Sequence, residues 1–244
     1  MKCPGQDTRY WKPGDIFDGK CPECGHLIEF FKDDSTRKCK KCGTRVLNPK
    51  IDFGCATYCK FADQCLAELP PEILAERKNL LKDRVALEMK RYFGHDFRRI
   101  SHACNVARYS EQIVKNEEGD LAVVLIAAYL HDIGIREAER KYQSSAAKYQ
   151  EELGPPVALE ILESLGADPK LIGEVCDIVG HHHSPRSQET ANFKVLYDAD
   201  MLVNLEDKHK EEPISREKLP RIIEKSFFTE TGKKLAYDVM VNRF

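Results

Sequence analysis

The chain has 244 residues, 42% hydrophobic and 32% charged, enough to bury a sizeable core in one large or two modest domains. Lysine plus arginine total 38 against 40 aspartate plus glutamate, a formal charge of −2, so no global field draws in nucleic acid or acidic lipid, and a generally basic protein is excluded. Met1-Lys2-Cys3-Pro4-Gly5 lacks the apolar core of a signal peptide, and the longest apolar run, Leu121 to Leu130, is too short to span a bilayer; a cytoplasmic protein without membrane contact is expected.

Eight of the ten cysteines fall in the first 65 residues. In a reducing compartment that density of thiols at short spacing points to metal ligation rather than disulfides, whereas the isolated Cys104 and Cys176 sit in helical patterns as small core residues. Cys21-Pro22-Glu23-Cys24-Gly25 and Cys39-Lys40-Lys41-Cys42-Gly43 are two Cys-x-x-Cys-Gly turns, each able to aim two thiolates at one ion. The spacing between them suits a β-hairpin that brings the second turn over the first, with Leu27 to Phe31 as its strand. This resembles a zinc ribbon, and implies a closed four-cysteine zinc that substitutes for a missing core. The other four, Cys3, Cys55, Cys59 and Cys65, count to one more complete site, for a second zinc or an iron–sulfur cluster. Lys38, Lys40, Lys41 and Arg45 cluster around the second turn, a local basic patch through which nucleic acid or a protein could be bound.

After Pro70-Pro71 the pattern turns helical, with Ile73, Leu74, Leu80, Leu81, Val85 and Met89 at helical spacings up to Gly94. Further helices are predicted at roughly 98–115, 120–132, 144–165, 168–180 and 193–206, with a last one after Gly232. The predicted architecture is therefore mainly α: a cysteine-rich, zinc-ribbon-like β module over 1–69, then an all-α domain over 70–244 with a C-terminal helical extension.

Within the helical part a sparse set of His and Asp stands out. His102 shares a helix face with Val106, Tyr109 and Ile113; His131-Asp132 ends the apolar helix and is followed by Ile133-Gly134, read as a glycine exit; His181-His182-His183 closes another helix; Asp200 lies among residues that should face a core. This order resembles the HD-domain superfamily of metal-dependent phosphohydrolases over roughly Glu72 to Asp207. The resemblance implies that His102, His131, Asp132 and Asp200 coordinate a divalent cation (manganese, iron, magnesium, nickel or cobalt), leaving positions open for water and a phosphate oxygen. Arg98 and Arg99, one helical turn before His102, can reach the same cavity and clamp a phosphate, and with Asp132 are the expected catalytic residues.

The departures from the family pattern are informative. Three positions after Asp132 stands Ile135, where some members carry an acidic residue or lysine, and the segment before His181-His182 has no histidine. Glu151 or Glu152 is the expected substitute ligand, giving a second ion with Asp132 as the bridge and the pair His181 and His182 on its far side. The function expected is hydrolysis of a small phosphate ester, nucleotide-like or a phosphorylated metabolite. The alternatives are a nucleic-acid- or protein-binding regulator whose helical domain is not catalytic, and a di-iron oxygenase.

Overall fold

A computed structural model describes residues 14–31, 34, 36–50 and 71–241, with the backbone alone for 71–79 and Leu47. The chain divides into two compact units, residues 1–77 and 78–244.

In the first unit each Cys-x-x-Cys-Gly turn closes a hairpin of its own. β1 (Ile16–Lys20) pairs antiparallel with β2 (Leu27–Phe31), and β3 (Thr36–Lys38) with β4 (Arg45–Leu47), so the two turns are the tips of two separate two-stranded sheets rather than opposite parts of one hairpin. The tips repeat the same bonds: the Gly25 amide donates to the Cys21 carbonyl and the Gly43 amide to that of Cys39, both at 2.9 Å. Both glycines have positive φ, +68° and +78°, a conformation that other residues rarely adopt. Beneath the tips, the described residues Cys21, Ile28, Phe30, Cys39 and Val46 form a buried core. Phe30 is fully buried and stacks on Phe17 with ring centroids 5.9 Å apart.

The second unit is built around α3 (Leu121–Leu130), whose sequence LAVVLIAAYL is apolar on every side and is buried on nearly every side. It begins at Asp120, whose carboxylate caps the amides of Ala122 and Val123. Packed against it are α2 (Phe97–Val114), α6 (Pro169–Val179) and α7 (Ala191–Glu211), capped by Asp96, Asp168 and Thr190 respectively. α1 (Pro71–Phe93) contributes Leu81, Val85, Met89 and Phe93 to the same core. α5 (Ala147–Ser164) packs on α6 and on the short α4 (Ile135–Tyr142). α8 (Leu219–Ser226) and α9 (Glu230–Met240) close the chain, α9 resting on α7. The described residues contain no helix long and apolar enough to cross a membrane.

Asp198 fastens that last contact. Its carboxylate, on α7, accepts the amides of Phe228 and Thr229, each at 2.8 Å, and the Thr229 hydroxyl at 2.7 Å. Burial pushes its carboxyl up to about 6, against the pull of these donors. A side chain at Gly232 would place Cβ 2.4 Å from the same carboxylate, which accounts for the glycine there. Asp198→Ala would strand three donors, two of them buried, and a loss of about 2 kcal/mol is expected, read as an earlier midpoint in denaturant unfolding followed by helical signal.

Candidate metal centre

The ends and middles of four helices bring the sequence's scattered His and Asp together. His102 comes from the second turn of α2, His131 and Asp132 from the turn that leaves α3, His182 and His183 from the turn after α6, and Asp200 from the middle of α7. His102, His131 and Asp200 offer one set of donor atoms, and Asp132, His182 and His183 a second, the atoms within each set lying within 4.8 Å of one another. His102 Nε2 is 3.0 Å from Asp200 Oδ1 and 3.2 Å from His131 Nε2. Asp132 joins the sets: its Oδ2 lies 3.5 Å from His131 Nε2 and 3.7 Å from His102 Nε2, while its Oδ1 lies 3.6 Å from His182 Nε2.

Two histidines are oriented from behind. His131 Nδ1 lies 2.8 Å from the Ala128 carbonyl and His182 Nδ1 2.9 Å from that of Val179. A carbonyl can only accept, so both Nδ1 atoms carry hydrogen and both Nε2 atoms turn a lone pair toward Asp132 when the rings are neutral. His182 Nε2 is buried and has no hydrogen-bond partner. A buried acceptor without a donor is costly, and a cation among these oxygens and nitrogens removes the cost.

The electrostatics of the cluster favour positive charge. Burial by itself would lower the pKa of His131, but the carboxylates of Asp132 and Asp200 raise it well above the ordinary value. Burial likewise acts to raise both carboxyls, yet His131 and His182 hold Asp132 well below the usual range, and His102 and His131 do so for Asp200. His183 is lowered, first by burial and then by His182.

Three expected ligands do not join either set. His181 turns away: its ring stacks on Phe193 with centroids 4.6 Å apart, and its Nε2 meets Glu189 at 3.2 Å. The pair that faces the site is His182 and His183 rather than His181 and His182. Glu151 accepts the His183 amide at 3.0 Å and the Ser184 hydroxyl at 3.1 Å, so it fixes the histidine turn from outside. Glu152 accepts from the Tyr142 hydroxyl and from Lys141 at the surface. The place expected for a glutamate is held by Gln150, whose Oε1 lies 3.4 Å from His183 Nε2. A carboxylate at 151 or 152 falls on other faces of α5, 100° and 200° round the helix from residue 150, which is why neighbours in sequence are not neighbours here.

A cavity of about 660 Å³ opens beside the cluster, lined by His102, Asp132 and Gln150 at one end and by Arg98, Arg99 and Lys208 among its walls. Arg99 is held by Asp96 at 2.8 Å and Glu139 at 2.5 Å. Arg98 and Lys208 have no acidic partner among the described residues. Asn204, one turn beyond Asp200, donates to Asp200 Oδ1 at 3.0 Å and also lines the cavity. Asn204, Lys208, His183 and Gln150 are the residues of this site that sequence reasoning missed. Spacing of four and eight from Asp200 on one helix was the only signal for the first two.

In the first unit, Cys21, Cys24, Cys39 and Cys42 place their sulfurs within 4.8 Å of one another, with Cys21–Cys42 and Cys24–Cys39 both at 3.6 Å and no disulfide. The Thr44 hydroxyl and amide hold the Cys42 thiol down to about 6. The His26 amide favours the Cys24 thiolate, but burial and the other three sulfurs push this thiol up to about 12. Four thiols so close cannot all ionise without a cation among them, and the set suits a four-coordinate metal. Cys3, Cys55, Cys59 and Cys65 lie outside the described residues.

The sequence model of the HD domain family matches residues 99–219, which contain every His and Asp of the two donor sets. Among solved structures, a predicted HD superfamily hydrolase from an uncultured Thermotogales bacterium is 27% identical, covering 66% of this chain and 83% of its own, with a TM-score of 0.46. Comparison with curated proteins gives no match. Over residues 99–219, just under half of its length, this chain is similar to the HD domain family.

Proposed function

We propose that the helical unit hydrolyses a phosphate ester, nucleotide-like or a phosphorylated metabolite, with one or two divalent cations held by His102, His131, Asp132 and Asp200 and by Asp132, His182 and His183. The observation that carries this reading is Asp132, whose two carboxylate oxygens face different donor sets, next to the unpartnered Nε2 of buried His182. A bound divalent cation supplies an activated water and neutralises charge on the phosphoryl oxygens. The chain's own residues do the rest. His131 and His182 keep their lone pairs aimed inward through the Ala128 and Val179 carbonyls, and Asn204 fixes Asp200. Arg98 and Lys208, uncommitted on the cavity wall, are the cations available to a substrate's phosphates; Arg99, tied by Asp96 and Glu139, instead shapes the wall.

His182→Ala separates the one-ion from the two-ion form. Loss of one bound manganese per chain together with a fall in turnover of about a thousandfold is expected for two ions, whereas unchanged metal content and rate fit one. A zinc in the four-cysteine cluster belongs to the same reading of the chain. Cys24→Ser is expected to release about one metal per chain and unfold the first unit, leaving the helical signal largely intact, because the four sulfurs join the tips of two otherwise separate hairpins. Full metal retention in that variant would exclude the shared site.

A further inference from the structure

Residues 36–50 contain six cationic side chains and no acidic one, in a chain whose overall charge is −2. Two of the six are committed: Arg37 pairs with Asp34 at 2.6 Å and lies over the Phe31 ring, and Lys50 lies over the Phe17 ring, 4.1 Å from its centroid. The remaining four, Lys38, Lys40, Lys41 and Arg45, are exposed and have no acidic partner among the described residues. Lys38 and Arg45 stand directly opposite each other across β3 and β4, and like charges in that position destabilise a sheet. Lys40 and Lys41 form the tip between them. The first hairpin has the same backbone plan without this feature: there Lys20 faces Leu27, and its tip carries Pro22 and Glu23.

We infer that the tip of the second hairpin, Lys38, Lys40, Lys41 and Arg45, is a docking surface for the phosphate backbone of nucleic acid. Four cations held around one turn, with no acidic partner among the described residues, suit a polyanion whose charges repeat closely. A protein partner fits less well, because protein interfaces exclude lysine from their centres and rely on apolar or aromatic anchors. Among the described residues of this unit, the exposed large hydrophobic ones, Ile16 and Leu27, lie on the other hairpin. Phe17 and Phe31 have rings already covered by Lys50 and Arg37, so the surface reads backbone charge rather than bases.

The test uses the full chain, metal-replete, and a fluorescein-labelled 20-nucleotide single strand, with anisotropy read from 50 to 200 mM salt. Binding is expected, with a slope of log affinity on log salt of about −3 for four phosphate contacts. The double variant Lys40→Glu, Lys41→Glu should weaken binding at least tenfold and reduce the slope by about 1.4, while Lys20→Glu on the first hairpin leaves both unchanged. Absence of binding at 50 mM salt, or equal binding by the double variant, overturns the inference. So does loss of bound metal in the double variant, which would assign these lysines to balancing the thiolate cluster. Binding to phosphatidylserine vesicles as tightly as to the oligonucleotide would assign the surface to a membrane instead.

Discussion

Asp132→Ala is expected to lower metal-dependent phosphoester hydrolysis by several powers of ten. Each carboxylate oxygen of Asp132 faces a different set of donors, so its removal weakens both at once, taking away the activated water together with the neutralisation of charge on phosphorus. The fold should survive. Asp132 is attracted by His131 and His182 and repels Asp200, so its removal loses the first interaction while it relieves the second, a cost carried locally by the cluster and not by the helical core. Thermal unfolding within a few degrees of the parent, alongside abolished turnover and lost manganese in the helical unit, is the expected pattern; unchanged turnover on every hydrolysed ester would remove Asp132 from the chemistry.

A second large effect is expected two residues further on. A Cβ at Gly134 would lie 2.4 Å from the Gln150 carbonyl oxygen, 2.6 Å from the Gly154 nitrogen and 2.9 Å from the Gly154 Cα. All three are backbone atoms of α5, so no side-chain rotation makes room. Gly134→Ala must push α4 and α5 apart, and α5 carries Gln150 and Glu151, which touch the histidine turn. A loss of about 3 kcal/mol or more is expected, with weakened binding at the Asp132, His182 and His183 set. Denaturant unfolding and manganese titration of this variant check both effects. Gly154→Ala meets one methyl of buried Val179 at 2.7 Å rather than three backbone atoms, so a smaller cost is expected, though that β-branched side chain has little freedom to turn away.

Gly134 also illustrates what a sequence conceals. Its position after His131-Asp132 reads as a left-handed helix exit, yet its φ is −72° and ψ −17°, ordinary right-handed values. Glycine is required there by the closeness of another helix, a long-range fact that no local pattern encodes. The longer helices were legible because their apolar residues recur with helical period and their ends carry Asp96, Asp120, Asp168, Thr190 or a following glycine. α4 and α8 were not: IREAERKY buries only Ile135 and Ala138, and LPRIIEKS only Leu219 and Ile223, too few to show a period.

The same contrast holds at the site. His102, His131, Asp132 and Asp200 were readable because their order along the chain resembles a known family, and the structure brings their side chains together. Which two of three consecutive histidines join Asp132 was not readable. That choice is made by Glu189 and Phe193, which capture His181, and by the Val179 carbonyl, which orients His182. Glu151 and Glu152 had the right chemistry in the wrong register, since a one-residue step on a helix turns a side chain by 100°.

The central claim is that the helical unit holds divalent cations at Asp132 and uses them on a phosphate ester. The most direct test follows manganese occupancy and ester hydrolysis in one titration of the full chain, stripped by chelator and reloaded, with occupancy read by electron paramagnetic resonance, because manganese avoids the thiolate cluster. The expected result is hydrolysis that rises in proportion to occupancy and disappears again with chelator. No manganese bound to the folded chain, or hydrolysis that is the same before and after loading, would contradict it.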